Sequence, residues 1–340
     1  MTLPLLSLAT LHLLYLQNPL PTTPTNNLSQ HLLSGRPKII AHRGGSLEGK
    51  ENSLSAIKKA IALKVDGVHI DPRKTKNGKF ILAANENLQR ITGQNKNVAE
   101  LNYPEEINDI MSIIESEFNV YFEDLSGFKE KPPLLETVLE ELVNTDILIS
   151  VADYGKRQDT MEILEMIQQK GLLDRLILHT DLDERELRHE FGRSFLITRS
   201  INNTMNYLEA FFTGRFAKKR RTIDTDIFQT TFSFKTISDS AVFYSEDSLG
   251  TFNKEDYNFQ KFFNFANQHV SELKLMNTVL NKNQKPVAYF LVNQFEDFKK
   301  AVTLGADLIF TDKPAEMSVW MMALGNHPYR PTFHSNSVRK

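Results

Sequence analysis

The residues with the clearest chemical potential follow short β-rich bursts. Ile40-Ala41-His42-Arg43-Gly44-Gly45 sets an imidazole and a guanidinium before a glycine pair, and Glu51-Asn52-Ser53 comes soon after. His42 and Arg43 suit either of two roles: meeting a phosphate, which guanidinium groups bind well, or hydrogen-bonding between neighbouring strand ends. A second burst ends His69-Ile70-Asp71. Asp71 alone is a poor site for a hard divalent cation, which wants several oxygens. His42, His69 and Asp71, joined by His179 or Asp153, would form a nitrogen-rich set suited to zinc. A strand-end histidine is more often a simple hydrogen-bonding group. Glu51 opens a helical stretch, where a carboxylate also complements the helix dipole.

The elements that must position these groups alternate. Strand-like bursts occur at Lys38–His42, Gly67–Asp71, Phe80–Ala83, Asp146–Ala152, Leu176–His179, Phe195–Thr198, Val287–Val292 and Asp307–Thr311. Between them run helical patterns, as in Glu51 to Leu63, with Leu54, Ile57, Ala60 and Ile61 on one face. Strands alternating with helices predict parallel βαβ units, and eight of them predict a closed (β/α)8 barrel. The stretch from Ser200 to Gln284 is longer than one helix needs and reads as an elaborated connection between the sixth and seventh strands. It carries the basic run Arg215 to Arg221 and an aromatic group at Phe228, Phe232, Phe234, Phe243 and Tyr244. The basic run suits anionic lipid head groups or an ordinary solvated loop.

The chain has 340 residues, 41% apolar and 24% charged, enough for a large core and too apolar for wholesale disorder. Its net charge of −2 lacks the basic balance of a nucleic-acid binder. The absence of cysteine excludes disulfides, thiolate catalysis and Cys-ligated metal sites. Leu3 to Leu16 is almost wholly apolar but shorter than the roughly 20 residues that span a bilayer as a helix. It is compatible with a secretory signal, a mitochondrial presequence, or a retained segment that docks on a membrane or partner. The expected organisation is an apolar segment and linker over 1–37, a barrel over 38–322 and an irregular tail over 323–340.

Taken in order, the motifs resemble the glycerophosphodiester phosphodiesterase family, a barrel of the phospholipase-C-like phosphodiesterase type. The resemblance rests on His42-Arg43-Gly44, Glu51-Asn52, His69-Ile70-Asp71, Thr75-Lys76-Asn77-Gly78, Leu88-Gln89-Arg90-Ile91-Thr92, Val292-Asn293 and Thr311-Asp312-Lys313-Pro314, over roughly Lys38 to Trp320. It implies hydrolysis of glycerophosphodiesters or lysophospholipids with a divalent metal (calcium, magnesium or zinc). Carboxylates would hold the ion against the phosphate while two histidines serve as acid and base. By the same resemblance, His42 matches the first catalytic histidine, Arg43 the phosphate contact, Glu51 and Asn52 the binding helix start, and Asp71 a metal ligand.

Other positions depart from the family. His69 stands where a metal-binding glutamate is expected, Ala84 at the second catalytic histidine, and Asn85 at its following aspartate. Ser150 and Ala152 stand at the Glu-x-Lys pair of the next strand when the segment Pro133-Leu134-Leu135-Glu136 is aligned. Asn119 to Glu123 offers an alternative match that would keep a glutamate. The leading expectation is therefore a degenerate barrel without a resident metal cofactor, serving as a structural or binding subunit. Its expected partners are proteins, a membrane surface or a phospholipid-derived ligand, but no nucleic acid. Its expected location is membrane-associated, in either mitochondria or the secretory pathway. The alternatives are an active phosphodiesterase with a rebuilt site, and a phospho-ligand binder without turnover.

Overall fold

The structure is a computed structural model that describes residues 6–16, 26–108, 130–153, 156–199, 211, 225–230 and 269–324. Its strands are β1 (Lys38–His42), β2 (Gly67–Ile70), β3 (Pro72–Lys74), β4 (Phe80–Leu82), β5 (Leu148–Ala152), β6 (Leu176–His179), β7 (Leu196–Thr198), β8 (Phe228–Thr230), β9 (Val287–Tyr289) and β10 (Leu308–Thr311). Eight of them form one parallel sheet in the order β7-β6-β5-β2-β1-β10-β9-β8. A parallel bridge between Thr198 and Ile227 brings the two ends of that sheet together, so the sheet curls into a barrel. The (β/α)8 expectation holds.

Two details of the strand count differ. Phe80–Leu82 lies outside the barrel: it pairs antiparallel with β3 in a separate two-stranded hairpin. A four-residue apolar run looks the same whether it is buried inside a barrel or against a single cover, so periodicity could not separate the two. The missing barrel strand is β8, sixth in chain order, inside the stretch expected to be connection only. Its three residues are too short to register as an alternating pattern. The strands ending at Ala152 and His179 are consequently third and fourth in the barrel.

Alternate residues divide the core in two, as strand pleating requires. Ile39, Ala41, Val68, Ile70, Ile149, Val151, Leu178 and Ile309 face an outer shell of helices. That shell includes α3 (Leu54–Ala62), α5 (Leu135–Val143), α6 (Arg157–Gln169), α7 (Glu184–Phe191), α8 (Val270–Lys282), α9 (Phe295–Leu304) and α10 (Pro314–Ala323). A shorter helix, α4 (Gln89–Thr92), follows the hairpin. The Ser53 hydroxyl accepts from the Ala56 N–H at 3.1 Å and starts α3, directing Ile57 and Ala60 inward. Pro314 opens α10, where its missing N–H leaves nothing unsatisfied.

The barrel interior is filled by Ile40, Leu148, Ile177, Leu196, Ile227, Ala288 and Leu308. Leu28 and Leu32 join this inner cluster from α2 (Asn27–Leu33), one helical turn apart on one face. Within the interior, β2 contributes Gly67. A Cβ there would lie 2.6 Å from Ile40 Cδ1 and 2.9 Å from Leu148 Cβ. Gly67→Ala should therefore destabilise the fold by about 1–3 kcal/mol through overpacking. Urea unfolding checks it, and a variant as stable as the parent would show that this layer has slack.

The apolar N-terminal run folds in part as α1 (Leu8–Leu16). It packs against α8, burying Leu11 and Tyr15. Tyr15 stacks on Phe211 at 4.6 Å, and its hydroxyl donates to the Phe211 carbonyl at 3.1 Å. Leu8 and Leu13 stay exposed. Part of this run thus finds its partner in the barrel's own shell. Among the described residues, no helix is long and apolar enough to cross a membrane. The Arg215–Arg221 run, Phe232, Phe234, Phe243, Tyr244, the Asn119–Glu123 match and the tail beyond residue 324 lie outside the described residues.

Candidate active site

The barrel mouth is built where the strands end. After β1 the chain turns sharply: Arg43 holds a left-handed φ of 53°, and Gly44 and Gly45 follow at 81° and 103°. The glycines let the turn sit against its neighbours. A Cβ on Gly45 would fall 2.7 Å from Pro314 Cγ, and one on Gly44 would fall 3.0 Å from Ala56 Cβ. Asn52 is also left-handed at 56°, and its N–H donates to the Arg43 carbonyl at 2.8 Å. The turn and the start of α3 are locked together.

His42 is buried and pairs through Nδ1 with Asp312 Oδ1 at 2.6 Å. Asp312 follows β10 and is held on several sides. Ser46 Oγ donates to it at 2.5 Å and Asn293 Nδ2 at 2.7 Å. Burial opposes its ionisation, but the charge of His42 and these hydrogen bonds outweigh burial and keep its carboxyl at about 2. The result is an oriented imidazole–carboxylate dyad, which can hold or pass one proton. The sequence motif contained Asp312 and Asn293 without assigning them this task. A carboxylate at the end of the last strand was the available signal.

A second group lies deeper. The rings of His42 and His69 are 5.0 Å apart and those of His69 and His179 are 5.1 Å apart. Phe290 packs edge-on to His42 at 5.0 Å, and Phe310 lies 5.6 Å from His179. His179 Nε2 shares a 2.6 Å hydrogen bond with Ser150 Oγ. Burial pulls His179 down to about 3, with the Asp71 charge raising it in part and His42 lowering it further. Burial likewise drives His69 well below the ordinary imidazole range, against the pull of Asp71. Both are neutral at physiological pH. His69 Nδ1 is buried with no hydrogen-bond partner among the described residues.

The third group is ionic. Arg43 is 1% exposed, and its Nη1 donates to Glu51 Oε2 at 3.0 Å. Its Nε lies 3.2 Å from Asp71 Oδ2. Asn52 Nδ2 donates to the same Asp71 oxygen at 2.8 Å, and Asn52 Oδ1 accepts from the Asp71 N–H at 3.2 Å. The other Glu51 oxygen accepts from Arg90, whose Nε donates to Asn85 Oδ1 at 3.0 Å. Arg43, Glu51, Asn52 and Asp71 therefore meet as one network, joined by Asn85 through Arg90.

Ala84, Ser150 and Ala152 carry no charged group, and Asp153 is engaged by threonines. Ala84 lines a cleft with Glu51, Asn52 and Ile91, and its carbonyl accepts from Arg73 at 2.8 Å. Ser150 stands beside His69 in register, and Ala152 beside His179. Asp153 accepts from Thr160 at 2.6 Å and from Thr180.

This layout agrees with the comparisons. The profile of the Glycerophosphoryl diester phosphodiesterase family matches residues 42–316. The chain belongs to that family. Human lysophospholipase D GDPD1 is 24% identical over 300 residues, which is 87% of this chain and 89% of the relative. An uncharacterized Bacillus subtilis protein, YqiK, is 32% identical over 147 residues, covering 42% of this chain and 57% of that protein. Among solved structures, the Thermotoga maritima glycerophosphodiester phosphodiesterase superposes with a TM-score of 0.53 at 18% identity, covering 85% of this chain and 99% of that one. An Oleispira antarctica phosphodiesterase with the product sn-glycerol-3-phosphate gives 0.55 at 16%, covering 84% and 97%. At these identities the structural likeness speaks for the fold.

The family resemblance implies a divalent metal, and the donor set among the described residues of this glycerophosphoryl diester phosphodiesterase family barrel does not fit one. Among the described residues, no group of three or more His, Asp or Glu side chains is placed to hold an ion. The expected ligands Asp71 and His69 do not converge on one point with a third. Asp71 is taken by Arg43 and Asn52. His69 is packed ring against ring with His42 and His179, so the zinc arrangement of these residues does not form either. Hard cations need several free oxygens, and a lone imidazole nitrogen does not replace them.

Proposed function

We propose that this barrel is a family member without ordinary phosphodiesterase turnover, acting as a structural or binding subunit. One observation carries the reading: where the resemblance expects a second acid/base group, Ala84 offers a methyl group. The His42–Asp312 dyad can move one proton, but hydrolysis of a phosphodiester asks one group to activate the nucleophile and another to protonate the leaving oxygen. Loss of one such group lowers rates by about 10²–10⁴. The carboxylates that would hold a charge-neutralising cation are paired with arginines instead.

The test is turnover of glycerophosphocholine and lysophosphatidylcholine by purified protein with calcium, magnesium or zinc. The expected rate is indistinguishable from that of His42→Ala. Turnover that disappears in His42→Ala would establish the competing reading, an active diesterase with a rebuilt site. That second reading is favoured by the intact dyad and by relatives named for lysophospholipase D activity.

A further inference from the structure

We propose that the Arg43 guanidinium is the resident cation of the barrel mouth, replacing a metal ion rather than accompanying one. Three observations converge on it. Arg43 is buried and touches two carboxylates of the mouth, Glu51 through Nη1 and Asp71 through Nε. Among the described contacts, the Arg43 and Arg90 guanidinium groups pair with the Glu51 and Asp71 carboxylates. A divalent ion entering this cluster would have to displace Arg43 from both carboxylates and leave a buried guanidinium without them, which is strongly disfavoured. The backbone agrees. Arg43 keeps a left-handed φ of 53°, which a non-glycine residue maintains only when its surroundings overdetermine it. The Asn52 N–H bond to its carbonyl and the two ion pairs supply that determination.

The neighbours that could rebuild a ligand shell point the same way. His69 brings a neutral ring packed among aromatic groups, and Ser150 directs its hydroxyl to His179. With Arg43 in place, Glu51 and Asp71 are held in ion pairs rather than left open to a cation. This inference does not stand on the absence of turnover. A metal-free barrel that hydrolysed substrate would refute the function above and leave the resident cation intact.

Manganese is the probe, followed by its electron paramagnetic resonance signal, with melting temperature in calcium as a second readout. The wild-type protein should leave the free Mn²⁺ spectrum unchanged and melt at the same temperature with and without calcium. Arg43→Met, which keeps the stem and removes the charge, should melt lower and gain cation binding, with a rise of roughly 5 °C at a hundred-fold excess over Kd. Manganese bound by the wild type and lost in Asp71→Asn or Glu51→Gln would overturn the proposal. So would a folded Arg43→Met that gains no binding. If Arg43→Met does not fold, the wild-type titration decides alone. Binding that survives both carboxylate substitutions lies elsewhere and leaves the mouth without a metal, as proposed.

Discussion

Asp71→Ala is expected to destabilise the protein by about 3–5 kcal/mol, the range for removing one partner of a buried ion pair. The size follows from what remains. Asp71 is wholly buried and Arg43 is 1% exposed, so water cannot take over the lost interaction. Arg43 would keep Glu51 but lose the carboxylate on its Nε side, and the Asn52 amide would lose its acceptor. An exposed pair would behave otherwise: Lys58–Glu141, with both side chains well exposed, belongs to the class worth about 1 kcal/mol or less. The double variant Arg43→Met/Asp71→Leu removes both charges together. It should lie more than about 1 kcal/mol above the sum of its two single variants, because the coupled charges vanish as a unit. Denaturant unfolding of the four proteins gives the cycle. An Asp71→Ala protein within 1 kcal/mol of the parent, or an additive cycle, would mean that the network contributes little.

Stability should also fall steeply as pH drops below the ordinary imidazole range. His179 titrates at about 3 in the folded protein, and His69 is shifted well down as well. In the unfolded chain both return to about 6.5. Between those values the unfolded state binds more protons than the folded one, so acid favours unfolding. The stabilisation is complete above about pH 6.5 and is lost progressively on acidification, by up to about 1.4 kcal/mol per pH unit for each imidazole. Asp312 acts in the same direction at lower pH. Its carboxyl is held at about 2, so its contribution is present above the ordinary carboxylate value near 4 and fades below it. The other groups facing this cluster are Asp71, Arg43 and His42. Urea midpoints at pH 7.5, 6.5 and 5.5 measure the slope, and His179→Leu should make it shallower. A midpoint that stays level from pH 7.5 to 5.5 would show that the imidazoles are not held neutral by burial.

The fold was legible because parallel βαβ units leave a period that survives in a single chain. Gly67-Val68-His69-Ile70 and Leu148-Ile149-Ser150-Val151-Ala152 read as strands on their own, and the helix over Leu54–Ala62 announces itself through its apolar face. Phe80–Leu82 and Phe228–Thr230 were assigned to the wrong places for one reason. A three-residue strand carries no period, and only its hydrogen-bonding partner decides which sheet it joins.

The sequence alone determined which side chains are available at the mouth, and that Ala84, Ser150 and Ala152 cannot serve as the charged groups the resemblance expects there. Covalent identity settles that much without coordinates. Which of the available groups neutralise one another was decided only by tertiary structure. Glu51 and Asp71 look like free carboxylates in the chain, and Asp312 looks like part of a turn. Their charges acquire meaning from separations of about 3 Å between residues far apart in sequence, set by strand register and the left-handed turn at Arg43. Electrostatic energy depends on distance and burial, and neither is written in the order of the residues.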